Sequence, residues 1–199
     1  TEFVRCKEID IRKYLNLFTI SVIKNEFNRY LLENAISKFS VSYKKIKSSV
    51  HPTKFTNKNG NIKDVNPGDL GVRSVGGEAV REYLFDEVFF DSELERENIV
   101  EEIAGVVVFT KIPKNSIKIP VAGGGTYSPD FAYIINKRDG KSRLNFIIET
   151  KNKPKSELAL SEKQKIKHAQ ELFSNSGFDV KFETQFENEK ILEVIKKSL

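Results

Sequence analysis

Apolar and polar positions recur at regular periods in the second half of the chain. Apolar residues at helical spacing predict three helices, at 92–103, 161–173 and 188–197. Short apolar runs predict four strands, at 106–110, 127–137, 143–151 and 178–186. The resulting order is helix, three strands, helix, strand and helix. This order predicts an α/β domain with an αβββαβ core built around a mixed sheet.

The first 75 residues are less regular. Residues 8–39 have a mostly helical pattern, in which Asn28 is a candidate cap and 17–22 could instead form a strand. Residues 48–71 are polar and contain turn pairs, which predicts a long loop. We therefore predict an appendage or connecting region over 1–75 and a separate domain over 76–199.

Two of the predicted helices begin with the spacing of a capping box. Ser92 and Glu95 form one such pair, and Ser161 and Gln164 form the other. Gly177 follows the second helix, as a terminal glycine does. Because a capping box accounts for Glu95 without any chemistry, the pattern leaves open whether Glu95 also belongs to a site.

The pair Asp139-Gly140 joins two of the predicted strands. Asp-Gly favours a two-residue type I′ turn, and this turn sets a register in which Asp130 faces Glu149. Facing side chains in a sheet have Cβ atoms about 4.5–5.5 Å apart, so two carboxylates placed there repel each other. An ordinary sheet would avoid this pair.

The same register gives the two faces of the hairpin different characters. One face carries three apolar pairs: Phe131 with Ile148, Tyr133 with Phe146, and Ile135 with Leu144. On the other face, Lys151 lies on the same side as Glu149, and Thr150 points away. Two carboxylates and one ammonium group are therefore expected to converge at a strand end.

This convergence favours metal-assisted hydrolysis. Mg²⁺ takes oxygen ligands and keeps several waters, and Asp130, Glu149 and the backbone carbonyl of Thr150 could supply those oxygens. A bound metal activates water and stabilises the charge that develops during phosphodiester hydrolysis. Lys151 adds a fixed positive charge beside the phosphate. Taken alone, Asp130 is more readily explained as an ordinary strand start, and Glu149 and Lys151 as a solvated strand end, so the prediction depends on their combination.

Length, composition and charge limit the class of protein and the kinds of site that the chain can have. The chain has 199 residues, enough for one good-sized domain or one domain with an appendage, and at 39% hydrophobic it can bury a core. No apolar run is long enough to span a bilayer. A single cysteine and the lack of a leader predict an intracellular, cytoplasmic protein. A first residue that is Thr and the absence of methionine suggest a piece of a longer polypeptide or a processed one. Two histidines argue against a His/Cys zinc site. A net charge of +5 suits a polyanionic partner such as DNA, with Lys153, Lys155 and Lys165 as candidate contacts.

Five segments occur in a specific order: FDEVFFDSELERENI (85–99), KIPKNSIKIP (111–120), TYSPDFA (126–132), FIIETKNK (146–153) and SEKQKIKHAQELF (161–173). This set resembles the PD-(D/E)XK nucleases, and most closely the C-terminal endonuclease domain of the restriction (Res) subunit of type III restriction-modification enzymes. The resemblance implies a restriction-endonuclease-like three-layer fold for 76–199. It also implies Mg²⁺-dependent cleavage of double-stranded DNA, with Mn²⁺ as a substitute.

The resemblance also implies roles for individual residues. The catalytic triad falls on Asp130, Glu149 and Lys151, and the acid of the preceding helix falls on Glu95 as a further catalytic residue and metal ligand. Supporting roles fall on Glu162 and Lys165. The Asn before the proline and the Trp after the aspartate, frequent in the family, are replaced here by Ser128 and Phe131.

The resemblance implies partners as well. Relatives carry an ATP-dependent translocase region in the same subunit and work with a methyltransferase (Mod) subunit. This chain has no phosphate-binding G-x-x-x-x-G-K-[ST] motif, so ATP would act only through a translocase region absent from it. No membrane partner is expected.

Two other functions stay open from the residues alone. The first is another nuclease of the same fold, acting in DNA repair or on junctions; a junction enzyme would form a symmetric dimer and cut branched DNA without ATP. The second is a DNA-binding or docking module that has lost catalysis, which would bind DNA without a metal. The intact Asp130, Glu149 and Lys151 argue against the second.

Overall fold

The predicted hairpin belongs to the main sheet, which contains four of the strands given below. The computed structural model describes residues 16–44, 57, 59, 61, 64–137, 143–175, 177 and 179–199. The strands are β1 Arg73–Glu78, β2 Glu87–Phe90, β3 Val106–Lys111, β4 Ile119–Pro120, β5 Thr126–Tyr127, β6 Phe131–Asn136, β7 Arg143–Lys151 and β8 Lys181–Phe186. The helices are α1 Leu17–Lys38, α2 Pro67–Leu70, α3 Glu93–Val100, α4 Leu160–Asn175 and α5 Ile191–Ser198.

The main sheet has the strand order β3-β6-β7-β8. The pairs β3–β6 and β6–β7 are antiparallel, whereas β7 and β8 are parallel and are connected through α4. A parallel pair needs such a crossover, because a tight turn cannot return the chain to the same end of the sheet. The predicted αβββαβ order around a mixed sheet is confirmed.

The predicted hairpin register is also confirmed. Phe131 pairs with Ile148, Tyr133 with Phe146 and Ile135 with Leu144. The Asp139-Gly140 turn itself lies outside the described residues. The register therefore rests on the observed strand pairs, which end at Asn136 and Arg143.

The sheet separates two hydrophobic cores. Strand alternation sends Ile148 into one core with helices α3 and α5, and Ile147 into the other with helix α4. The side chains of Phe131 and Tyr133 are fully buried in the first core. Helices thus cover both faces of the sheet, which gives the three layers expected from the resemblance.

Helix α1 packs on the second core through its C-terminal half. Leu32 contacts this core, and Ser37 lies within hydrogen-bonding distance of Gln164 of α4. Gly123, with φ of 87°, lies directly against α1: an added Cβ would be 2.2 Å from the carbonyl oxygen of Asn28. The loop before β5 is therefore held against the N-terminal helix.

Several local predictions for the first 75 residues are wrong or untested. Helix α1 is capped by Asn16, whose side chain accepts from the Thr19 N–H at 2.8 Å, so Asn28 is an interior residue and 17–22 is not a strand. Residues before 16 and most of the predicted loop at 48–71 lie outside the described residues. Pro67 begins the short helix α2.

The predicted capping boxes have different outcomes. Ser92 caps α3 as predicted. Ser161 does not cap α4, because the helix already begins at Leu160 and Gln164 is buried beneath α1. The Glu162 carboxylate instead accepts from the Ala159 N–H at 3.2 Å.

Other element boundaries also differ from the sequence prediction. The predicted strand at 127–137 is two strands, β5 and β6, separated by residues 128–130, and the last strand begins at 181. The short strands β1, β2 and β4 were not predicted. Within the described residues, no helix has the length and apolar character needed to cross a membrane.

Candidate active site

A cleft of about 420 Å³ lies at the C-terminal end of β7, where the hairpin residues meet the beginnings of α3 and α4. All four predicted catalytic residues line it. The full lining consists of Ser92, Glu95, Asp130, Glu149, Thr150, Lys151, Asn152, Lys153 and Glu162.

Asp130 is fixed by the end of β7. Its Oδ2 accepts hydrogen bonds from the Thr150 N–H and the Thr150 hydroxyl, both at 2.7 Å. The prediction that Thr150 points away from the acids is therefore wrong for its hydroxyl, which contacts Asp130. Asp130 lies just before β6, so the side-chain alternation of that strand does not fix the direction of the Asp130 side chain. Burial raises the pKa of Asp130, and the charge of Glu95 adds to the rise, against the lowering effect of the Thr150 hydrogen bonds.

Glu149 is the most deeply buried acid of the cleft, with 2% of its surface exposed. Its Oε1 lies 2.6 Å from the Lys151 Nζ. Its Oε2 is buried and has no hydrogen-bond partner among the residues that the structure describes. Burial, reinforced by the charge of Asp130, raises the pKa of Glu149 to about 8. The single ammonium of Lys151 does not balance the two carboxylates.

Lys151 is held between acids. Its Nζ lies 2.6 Å from Glu149 and 3.8 Å from Glu162, whose other oxygen lies 2.6 Å from the Nζ of Lys153. Burial opposes a charged lysine, but the attraction of Glu149 and the other acids outweighs it, so the pKa of Lys151 is raised. Lys151 therefore stays protonated and acts as a fixed cation.

Glu95 lines the cleft but is bound by a different set of partners. Its N–H donates to Ser92 Oγ at 3.3 Å, and its Oε2 accepts from the Asp91 N–H at 2.7 Å and from Lys111 Nζ at 2.6 Å. Ser92 therefore caps the helix as predicted, whereas the Glu95 carboxylate binds the N–H of Asp91, one position before the cap, and also lines the cleft. Its charge is nevertheless partly balanced by Lys111.

The sequence analysis missed Lys111 and Asp91. Lys111 is 3% exposed at the end of β3, and its Nζ also lies 3.0 Å from Asp91 Oδ2, while the Lys114 Nζ lies 3.3 Å from Asp91 Oδ1. The sequence signal for this cluster was Lys111 itself, because it directly follows the apolar run VVVFT. In the structure Lys111 pairs with the buried Phe131 across the sheet. A lysine at a position that must be buried requires an acid beside it.

The candidate DNA-contacting lysines are placed differently from one another. Lys153 lines the cleft and is paired with Glu162. Lys155 is exposed in a single helical turn just after β7, and Lys165 is half-buried in α4. Neither Lys155 nor Lys165 lines the cleft.

The cleft suits a hard cation that takes few protein ligands. Among the described residues, no three His, Cys, Asp or Glu side chains are clustered so that they could hold a metal ion by themselves. Asp130 and Glu149 are nevertheless two acids with raised pKa values in one cleft, and one oxygen of Glu149 has no partner. Mg²⁺ is commonly bound through one or two carboxylates and keeps several waters, so this donor set fits it.

Comparisons with known proteins point to one family. The family described as an endonuclease domain matches residues 81–189. The chain is 56% identical over 197 residues to the type III restriction-modification enzyme EcoP15I Res subunit of Escherichia coli. It is 55% identical over 197 residues to the EcoPI Res subunit of Escherichia phage P1. Each alignment covers 96% of this chain but 20% of the relative, so the chain spans about a fifth of these relatives' length. No solved structure matches.

Proposed function

The chain belongs to the endonuclease domain family found in type III Res subunits, and we propose that it cleaves double-stranded DNA with a divalent metal ion bound in the β7 cleft. Membership in this family confirms the expectation drawn from the five sequence segments. The observation that carries the metal site is the buried Glu149, whose Oε2 has no hydrogen-bond partner in the described part of the chain and whose pKa is raised by burial and by the charge of Asp130. A bound metal ion would add a second positive charge beside Lys151, which is the one cation that Glu149 contacts among the described residues.

Asp130, Glu149 and the backbone carbonyl of Thr150 would hold the metal, with water completing its coordination. Mg²⁺ is the proposed ion, and Mn²⁺ a substitute. When bound, the ion supplies a more acidic water and a positive charge beside the phosphate. Glu95 would contribute from the cleft wall, limited by its ion pair with Lys111.

Lys151 would stabilise the negative charge that develops on the attacked phosphate and orient the attacking water. Its ammonium is already fixed by Glu149 at 2.6 Å, so little reorganisation is needed during the reaction. Glu162 and Lys153 extend this row of charges toward the surface. Lys153, Lys155 and Lys165 are the proposed contacts to the DNA backbone.

The complete protein would contain further parts. Both relatives are Res subunits of type III restriction-modification enzymes and are about five times as long as the aligned region. We propose that an ATP-dependent translocase region of the same subunit and a methyltransferase subunit act with this domain in the cytoplasm. Target recognition would then be the task of those partners.

Metal binding tests this function most directly. Mn²⁺ would be titrated by calorimetry into the chain with a short DNA duplex, and into the variants Asp130→Ala and Glu149→Ala. Because each variant removes a proposed ligand, we expect the affinity for Mn²⁺ to fall by about 100-fold or more in both. Glu157→Ala is the matched control, since it removes an exposed acid that does not line the cleft.

The same variants in the full-length subunit would then be assayed for plasmid cleavage. Loss of metal binding together with loss of cleavage supports the proposal. Metal binding that is indifferent to both substitutions, or DNA binding without any metal site, would instead support a docking module that has lost catalysis.

A further inference from the structure

Thr150 lines the cleft between Glu149 and Lys151, and its hydroxyl points to a function besides that of its backbone carbonyl. The residue is 8% exposed near the C-terminal end of β7. Its hydroxyl and its N–H both donate to Oδ2 of Asp130, each at 2.7 Å. Both distances are in the range of hydrogen bonds to a charged acceptor, so the two bonds form a firm clamp on one carboxylate oxygen.

The main chain of Asp130 is fixed as well. Its N–H donates to the Ile148 carbonyl at 3.2 Å, and its own carbonyl accepts from the Ile112 N–H at 2.6 Å. The last pair of the β6–β7 ladder is Phe131 with Ile148, so the Thr150 N–H lies beyond the ladder and takes the Asp130 carboxylate as its acceptor. With the backbone held on both sides, rotation of the side chain is the freedom that the Thr150 hydroxyl restricts.

No other described residue holds the Asp130 carboxylate. Among the described residues, Asp130 forms no ion pair, and both hydrogen bonds to its side chain come from Thr150. The Lys151 ammonium instead lies 2.6 Å from Glu149 and 3.8 Å from Glu162. Two donors on the same oxygen define the orientation of the carboxylate better than one donor does, and they leave Oδ1 as the oxygen that neither of them uses.

We infer that Thr150 is a positioning residue, whose hydroxyl holds Oδ2 of Asp130 so that Oδ1 is presented to the metal ion. This inference rests on the proposed metal site and on Asp130 as its ligand. Carboxylates that bind metals are themselves hydrogen-bonded, and removal of such a hydrogen-bond partner typically weakens metal binding by about 10–100-fold. Thr150 would then serve the site through its side chain as well as through its carbonyl.

The test compares variants that change only the side chain of Thr150. Thr150→Val and Thr150→Ala remove the hydroxyl, whereas Thr150→Ser keeps the hydroxyl and removes the methyl group. All three retain the backbone N–H and carbonyl. Thr184→Val is the matched control, because the Thr184 hydroxyl is buried without a partner in the described part of the chain and the residue does not line the cleft.

Mn²⁺ would be titrated by calorimetry into each metal-free variant with a short DNA duplex. We expect the affinity to fall about tenfold in Thr150→Val and Thr150→Ala, the lower end of the range, because the N–H bond to Asp130 remains. Thr150→Ser and Thr184→Val should stay within about threefold of the wild type. Urea unfolding without metal checks that each variant folds, and Ala and Ser still give the comparison if Val does not fold.

Cleavage by the full-length subunit separates positioning from a general structural effect. In Thr150→Val and Thr150→Ala the half-saturating Mn²⁺ concentration should rise by the same tenfold factor, while the rate at saturating Mn²⁺ stays within about threefold. Thr150→Ser should restore the wild-type half-saturating concentration. A general loss of folded protein would instead lower the saturated rate and leave the half-saturating concentration unchanged.

The outcomes distinguish this inference from the proposed function. Unchanged Mn²⁺ affinity in Thr150→Val and Thr150→Ala, with binding still lost in Asp130→Ala, would overturn the role of the hydroxyl and leave the metal site intact. A loss in Thr150→Ser as large as that in Thr150→Ala would also overturn it, because the methyl group would then be responsible. Absence of a metal site in the wild type would overturn both.

Discussion

Two groups of acids and lysines lie within the same domain, yet their electrostatics are opposite. The first is the cleft triad, Asp130, Glu149 and Lys151. In this triad the two acids have raised pKa values, and Oε2 of Glu149 is buried without a hydrogen-bond partner among the residues that the structure describes. When both acids are ionised, the triad has two negative charges against the one positive charge of its lysine.

The second group is the Lys111 cluster, formed by Asp91, Glu95, Lys111 and Lys114. Here the two acids face two lysines at 2.6–3.3 Å. Burial works against the charge of Asp91, but Lys111 and Lys114 outweigh it and lower the pKa of that carboxyl. The cluster is complete without any external cation.

These two groups show that a cluster of acids and lysines does not by itself identify a functional site. The same residue types form a closed set of ion pairs where donors match acceptors, and line the cleft for which we propose a metal ion where they do not. Glu95 belongs to both regions, because it lines the cleft but pairs with Lys111. The two regions should therefore respond in opposite directions when their charges are removed.

The largest effect is expected from Glu149→Gln. Removal of the buried carboxylate should lower cleavage by about 10³-fold, the upper range for the loss of one electrostatic group in an active site. The same substitution should stabilise the metal-free domain at high pH. Plasmid cleavage by the full-length subunit measures the first effect, and denaturant unfolding of the metal-free chain measures the second.

The sign of the pH effect follows from the pKa of Glu149. Its folded-state pKa is about 8 against an ordinary value of 4.5, so the folded protein binds this proton more tightly than the unfolded chain does. The wild type should lose stability as the pH rises from 4.5 to 8, by at most about 5 kcal/mol. Glu149→Gln should lack that loss. If Glu149→Gln were less stable than the wild type at pH 9, ionised Glu149 would not be the destabilising group that its raised pKa implies.

The next largest effect is expected from Lys111→Met, on stability rather than chemistry. This change leaves Glu95 buried beside Asp91 without its cation, which typically costs about 3–5 kcal/mol. Lys114→Met is the matched control, because the Lys114 side chain is 44% exposed and its pair should be worth about 1 kcal/mol or less. Equilibrium unfolding by urea compares the two variants.

A second substitution tests whether charge, rather than packing, is the cause. Glu95→Gln added to Lys111→Met removes the unpaired carboxylate, so part of the lost stability should return. If the double variant is as unstable as Lys111→Met alone, the packing of the lysine stem would explain the loss instead.

The cleft was largely predictable from the sequence because it depends on local rules. An Asp-Gly pair and strand alternation were enough to predict that Asp130, Glu149 and Lys151 meet at one strand end, and the observed strand pairs and cleft lining agree with that prediction. The Lys111 cluster was not predictable in the same way. Lys111 meets Asp91 and Glu95 across long sequence separations, and no periodicity reports which acid a buried lysine will find.

The wrong caps have a similar cause. Ser161 had the spacing of a capping box, but Leu160 already belongs to helix α4 and the Glu162 side chain satisfies the Ala159 N–H. The helical spacing of the apolar residues after Asn28 predicts a cap there, whereas the observed cap is Asn16, directly before the helix. Several polar side chains can satisfy a helix end, so tertiary packing decides which one does.

The smallest effect is expected at the outer edge of the cleft, in Glu162→Gln. Glu162 is three-quarters buried as a side chain but pairs near the surface with Lys153 at 2.6 Å, and more distantly with Lys151 at 3.8 Å. The hydrogen bond from Lys153 is the main reason that the pKa of Glu162 is lowered. Its stabilising contribution should therefore be present at neutral pH and disappear as the pH falls below 4.5.

We expect Glu162→Gln to cost about 1 kcal/mol or less at pH 7, and to lower cleavage only about threefold to tenfold, because Lys151 keeps its closer partner Glu149. Glu157→Gln, an exposed change near the same loop, should alter neither quantity. Urea unfolding at pH 7 and pH 4 and plasmid cleavage by the full-length subunit provide the measurements. If Glu162→Gln lowered cleavage as much as Glu149→Gln, Glu162 would have to be counted with Asp130, Glu149 and Lys151 among the residues needed for cleavage. The functional part of the cleft would then extend farther toward the surface.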